Sequence, residues 1–123
     1  MRMRKSASRP EDLIQRTLFQ HYHARKAPGT FAFHVPNGGK RKPIEAAIMK
    51  GLGVTAGVPD IIAIRAGHTF ALELKAEGGK PSEKQIEVMA TMEAAGATVT
   101  LATGLDAAIA QLEAWGILRG VAT

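Results

Sequence analysis

Two short apolar runs, Asp60-Ile-Ile-Ala-Ile-Arg65 and Thr69-Phe-Ala-Leu-Glu-Leu-Lys-Ala76, are separated only by a segment containing Gly67. β-branched and apolar residues on both sides of a glycine turn favour a β-hairpin. The flanking patterns are helical or extended in turn. A helix is expected from Pro10 to about Arg25, closed by Pro28-Gly29, then a strand over 31–35 and a flexible basic loop from Pro36 to Pro43. A short helix over Ile44 to Leu52 precedes the hairpin, and a helix from Ser82 to Gly96, a strand over Thr98 to Ala102 and a helix from Leu105 to Trp115 follow it. The order α-β-α-β-β-α-β-α predicts an α/β fold, a mixed β-sheet flanked by helices. At 123 residues the chain has room for one core, read here as a basic arm over 1–9 and a single domain over 10–123.

If Arg65 and His68 close the hairpin, counting outward pairs Ile64 with Thr69, Ile62 with Ala71 and Asp60 with Glu73, all on one face. Two acids then stand opposite each other with β-carbons about 5 Å apart, where like charges repel. A cation is needed between them. Lys75 shares the face two residues on, and the row Ile62, Ile64, Ala71 suggests that the charges sit at the rim of the core. Hard carboxylate oxygens in such a place suit magnesium, with manganese able to substitute. The plainer reading is an ordinary alternation of strand charges, with Lys75 neutralising Asp60 across the hairpin, since Glu-x-Lys is common by chance.

Two polar residues interrupt apolar helix stripes. Glu11 projects with Ile14, Leu18, Tyr22 and Arg25, and Gln85 projects with Val88, Met89 and Met92. Both Ser8-Arg-Pro-Glu11 and Ser82-Glu-Lys-Gln85 also fit a capping box, in which the fourth side chain reaches back to the cap residue's N–H. For Gln85 the cap and a site role stand level. Asp12 can serve the helix dipole in place of Glu11, which favours a site role for Glu11.

Charge divides the chain. Residues 1–50 carry eleven Lys or Arg against three acids, a net +8, and residues 51–123 carry five against eight, a net −3. The basic half suits a polyanion, with Lys40, Arg41, Lys42 and Lys50 as candidate phosphate contacts, although a solvated basic loop explains them nearly as well. The absence of cysteine excludes disulfides, thiolate zinc sites and a cysteine nucleophile. Gly51-Leu-Gly-Val-Thr-Ala-Gly57 lacks Gly-Lys-Ser/Thr and leads into a strand, so it is not a nucleotide-binding loop. His21, His23, His34 and His68 lack ligand spacing and read as structural or surface residues. A histidine-metal finger on His34 and Asn37 lacks the further histidine it needs. No secretion signal or membrane-length apolar run is evident, and the expected location is the cytoplasm, for a virus- or bacterium-encoded protein.

Taken together, Gly57-Val-Pro-Asp60, Glu73-Leu-Lys75 and Gln85 resemble the PD-(D/E)xK nuclease superfamily, and more narrowly the VRR-NUC family, the virus-type replication-repair nucleases, in stand-alone form. The resemblance runs from Glu11 through Asn37-Gly-Gly-Lys-Arg41 and Lys50-Gly51 to Gln85 and Ala95-Gly96. It implies a restriction-endonuclease-like core in which Asp60, Glu73 and the backbone carbonyl of Leu74 bind magnesium, with Glu11 at the metal or its water. Lys75 would orient or activate the attacking water, and Gln85 would steady the lysine or the nucleophile. The implied activity is a structure-selective DNA endonuclease, similar to Holliday-junction resolvases and acting as a homodimer. The rival from another class is a non-catalytic nucleic-acid-binding module with the same fold.

Overall fold

The computed structural model describes residues 9–36 and 42–120. Its elements are α1 (Arg9–Arg25), β1 (Thr30–His34), α2 (Pro43–Gly51), β2 (Ile61–Arg65), β3 (His68–Lys75), α3 (Glu83–Ala94), β4 (Thr98–Thr103) and α4 (Leu105–Ala114), in the order that the sequence implies. Arg9 opens α1. The rest of the basic arm, together with Asn37, Lys40 and Arg41, lies outside the described residues.

The four strands form one mixed sheet in the order β1-β2-β3-β4. β1–β2 and β2–β3 are antiparallel, and β3–β4 is parallel. Parallel neighbours need a long crossover, which α3 supplies. The hairpin closes on Arg65 and His68, with Ile64 opposite Thr69 and Ile62 opposite Ala71. Ala66 and Gly67 both take positive φ, 52° and 79°, as a two-residue turn needs when its twist must match that of the strands. The register therefore runs as counted from the sequence, and one step past Ile61 and Leu72 it sets Asp60 across from Glu73.

One expectation is corrected. The main core is not under the row Ile62, Ile64 and Ala71 but on the opposite face of the sheet. There Ile61, Ala63, Phe70, Leu72, Leu74 and Ala102 pack against Leu18 and Tyr22 of α1, Ala108 and Leu112 of α4, and Trp115, Ile117 and Leu118 beyond it. Ile64 is 39% exposed. Because residues 61 to 64 are all apolar, alternation could not tell which face the helices α1 and α4 would take. Fully buried leucines such as Leu18, Leu72 and Leu112 each contribute about 1.5–3 kcal/mol on this face.

The outer strand and the segment that follows α4 are fastened to α1. Ala32 N–H donates to the Tyr22 hydroxyl at 3.0 Å. Arg25 pairs with Glu113 and donates to the Arg119 carbonyl, and Arg119 N–H returns to the Arg25 carbonyl at 2.8 Å. α3 packs on the other face, over β4, with Val88 buried. The acids of the hairpin thus sit under α3 beside the open half of the sheet.

Candidate active site

Asp60 stands just before β2, where the β2–β3 ladder has run out of main-chain partners. Its Oδ2 accepts from Leu74 N–H at 2.8 Å, in the place that a backbone carbonyl would otherwise fill. The N–H and C=O of a strand residue leave on the same edge, so the Leu74 carbonyl belongs to the edge on which Asp60 sits. The backbone of Asp60 is held as firmly as its side chain. Its carbonyl accepts from Val35 N–H at 2.8 Å and from His34 Nδ1 at 2.8 Å, and the buried Pro59 fixes the approach.

Glu73 lies on β3 between the sheet and α3 and is only 2% exposed. Lys75, 8% exposed, brings its Nζ to 3.3 Å from Glu73 Oε2. Burial first, and then the neighbouring Asp60 charge, lift the Glu73 carboxyl from its ordinary 4.5 to about 7, against the lowering effect of Lys75. The same Oε2 accepts from Gln85 Nε2 at 2.9 Å. Gln85 also completes the capping box of α3: its Oε1 accepts from Ser82 N–H at 2.9 Å, and its own N–H donates to Ser82 Oγ at 3.1 Å. The cap, weighed level with a site role from sequence, is present, and the same side chain also hydrogen-bonds Glu73. Capping orients the amide, so that its NH2 is left for the acid.

Glu11, in the first turn of α1, approaches from the Lys75 side. Its Oε2 and Lys75 Cδ come within 3.6 Å and 3.5 Å of the point that a Cβ on Gly79 would occupy. Among the described residues no three acid, histidine or cysteine side chains gather as a metal cluster. Asp60 and Glu73 form a pair, with Glu11 set apart near the lysine. Of the basic candidates within the described residues, Lys42 caps α2 and Lys50 lies in its last turn. Lys50 lines a cavity of about 490 Å³ with Ala46, Met49, residues 53–56 and Lys84 of α3.

Sequence reasoning missed His34, whose bond to the Asp60 carbonyl depends on a β1–β2 pairing between segments 26 residues apart. It also missed Lys84, against whose backbone Gly57 packs. A Cβ on Gly57 would fall 3.1 Å from the Lys84 carbonyl oxygen, so the glycine that opens Gly57-Val-Pro-Asp60 is where the loop meets α3.

The donor set suits a hard divalent cation. Two carboxylates and a carbonyl share one strand end, and the closeness of the acids is itself one cause of the raised Glu73 pKa, a repulsion that a cation relieves.

No family model matches the sequence, and no curated protein matches it significantly. Solved structures do. One named VRR_NUC domain protein superposes with a TM-score of 0.73 at 24% identity, covering 92% of this chain and 90% of that one. A second, named VRR_NUC domain, gives 0.56 at 19% identity, covering 84% and 92%. A Holliday junction resolvase, Hjc from Archaeoglobus fulgidus, aligns at 0.44 and 20% identity over 75% of this chain and 64% of that one. With its mixed sheet and its helix order, this chain has the fold of the VRR_NUC domain structures.

Proposed function

We propose that the chain is a metal-dependent nuclease of the VRR-NUC family that hydrolyses phosphodiester bonds in DNA, acting on branched or otherwise structured substrates. The observation that carries this reading is the convergence at one strand end of Asp60, the buried Glu73, Lys75 at 3.3 Å and Gln85 at 2.9 Å, on a fold shared with VRR_NUC domain structures.

Asp60, Glu73 and the Leu74 carbonyl would hold magnesium, or manganese in its place. Bound there, the ion would supply Lewis-acid polarisation of the phosphoryl oxygen and a more acidic water. The chain's own groups do the rest. Gln85 fixes the Glu73 carboxylate in one orientation. The Lys75 ammonium offsets the negative charge that builds on the non-bridging phosphoryl oxygens and orients the attacking water. That water's proton passes to solvent as the P–O bond breaks, and the leaving oxygen takes up a proton from solvent. Glu11 stands beyond Lys75, where it can hold the water or the lysine. The excess of positive charge in residues 1–50 supports salt-dependent phosphate binding without base selection.

Self-association supports the cutting of two strands of a branch. α2 and its cap expose Ile44, Ile48 and Leu52, an apolar row at helical spacing of the kind that marks an interface. Sedimentation at low micromolar concentration tests the dimer. No helix among the described residues is long and apolar enough to cross a membrane.

A panel of labelled linear and branched DNAs, with and without magnesium, tests the activity. Magnesium-dependent cutting that Asp60→Asn abolishes with DNA binding retained supports a nuclease. Binding without cutting under every condition supports the non-catalytic module instead.

A further inference from the structure

We propose that Phe31 and Phe33 form a stacking platform for unpaired nucleobases beside the acid pair, and so supply the means by which the chain would distinguish branched or single-stranded DNA from intact duplex. The proposal rests on the nuclease reading for its biological meaning, but its geometry is independent of it.

β1 is an outer strand whose register against β2 pairs Phe31 with Ile64 and Phe33 with Ile62. Val35 N–H continues the ladder to the Asp60 carbonyl. By strand alternation, Phe31, Phe33 and Val35 share a face with Ile64, Ile62 and Asp60, and through the next strand with Glu73 and Lys75. α3 covers the β3–β4 half of this face and leaves the β1–β2 half open. Phe31 is 61% exposed and Phe33 38%, with ring centroids 5.6 Å apart and planes tilted by 39°.

Two exposed rings at alternate positions of one strand, flanked by isoleucines of the next, give an apolar surface that a folded chain gains nothing by showing to water. Every base has a π face, so aromatic rings bind unpaired bases with little regard to sequence, whereas a paired base offers only its edges. Phe33 lies two residues from Val35, about 6.7 Å along the strand, and Val35 is the neighbour of Asp60. A strand whose phosphate reaches the acids would carry its adjoining bases across these rings. In sequence, the strand that carries the rings runs on into the basic stretch Lys40-Arg41-Lys42. A permanently seated second copy is disfavoured, because whatever covers Phe33 also crowds the approach to Asp60 on the same face.

The test compares the full chain with the double variant Phe31→Leu/Phe33→Leu, which keeps apolar bulk but removes the π faces. Binding is measured in EDTA by anisotropy on a fully paired duplex and on the same duplex carrying an unpaired arm, with 2-aminopurine in the arm as a stacking probe. The expected result is unchanged duplex affinity, roughly tenfold weaker binding of the unpaired arm and loss of 2-aminopurine quenching. Unchanged arm affinity and quenching, or an equal loss on both DNAs, would overturn the proposal. So would a wild-type dimer that becomes monomeric in the variant, since a second copy then occupies the rings. A preference for the arm that the leucines abolish, in a chain that cuts no DNA with magnesium, supports the platform and overturns the nuclease reading alone.

Discussion

Gln85 Nε2 donates to Glu73 Oε2 at 2.9 Å while Gln85 Oε1 accepts from Ser82 N–H, so one amide both caps α3 and orients the buried acid. The two roles separate by substitution. Gln85→Glu keeps an oxygen for the cap but sets a second carboxyl against Glu73, so nuclease turnover should fall at least tenfold and stability should drop as pH rises and both acids ionise. Gln85→Ala loses both roles and should also destabilise the fold by about 0.5–2 kcal/mol. Paired melting curves and cleavage rates check this, and wild-type activity in Gln85→Glu would remove the orienting role.

The buried carboxyl sets a pH dependence. Glu73 keeps its proton to about pH 7 in the folded chain, against 4.5 ordinarily. Between those values the native state holds a proton that the unfolded state has released. The stability this group contributes is therefore fully present below about pH 4.5 and lost as pH rises through about 7. In EDTA, Glu73→Gln should remove that loss, making the chain more stable than wild type at pH 8 by on the order of 2 kcal/mol and nearly equal to it at pH 4. Urea denaturation at the two pH values measures it. Magnesium must displace the same proton, so binding at the acid pair should tighten as pH rises to 7.

Much of this arrangement was legible in the sequence, and the parts that were not have particular causes. Local order fixed the hairpin: the Gly67 turn and the spacing of Asp60, Glu73 and Lys75 suffice to set two acids opposite each other, because only two dihedrals per residue and a period of two are involved. Which face carries the core was not legible, since Ile61 through Ile64 are apolar on both faces and the choice depends on where α1 and α4 dock. His34 beside Asp60 was invisible for a related reason, since β1 pairs with β2 across a long insertion that leaves no local signature. Gln85 presented two readings that the sequence could only weigh against each other, and its N–H and Oε1 make the cap while its Nε2 is left to bond Glu73.

Among the described residues Lys75 is the cation paired with Glu73, and it lowers the Glu73 pKa. Lys75→Met, close in length and apolar, should lift the Glu73 pKa above about 7 and reduce turnover by roughly a hundredfold or more. The acid pair itself remains, so magnesium binding at pH 8.5 should change little. Carboxyl NMR of Glu73 and calorimetric titration of magnesium read the two effects separately, and a fully active methionine variant would exclude the lysine from the chemistry.

Gly57 ties the loop that delivers Asp60 to the helix that delivers Gln85. Its φ is +86°, and a Cβ there would lie 3.1 Å from the carbonyl oxygen of Lys84 and 3.2 Å from its carbonyl carbon. Lys84 Cγ is nearer still at 3.0 Å, and because the carbonyl belongs to the first turn of α3, a shift of a few tenths of an ångström there is passed on to Gln85. Gly78 provides the control, since its φ of +84° carries the same strain but nothing lies within 4 Å of its Cβ position. Both Gly57→Ala and Gly78→Ala should lose about 1–2 kcal/mol through backbone strain. Gly57→Ala should lose about 1 kcal/mol more from the close contact, and its cleavage rate at a temperature where both variants are folded should fall below that of Gly78→Ala. Equal melting temperatures and equal rates for the two variants would show that the Gly57–Lys84 contact does not position the acid pair.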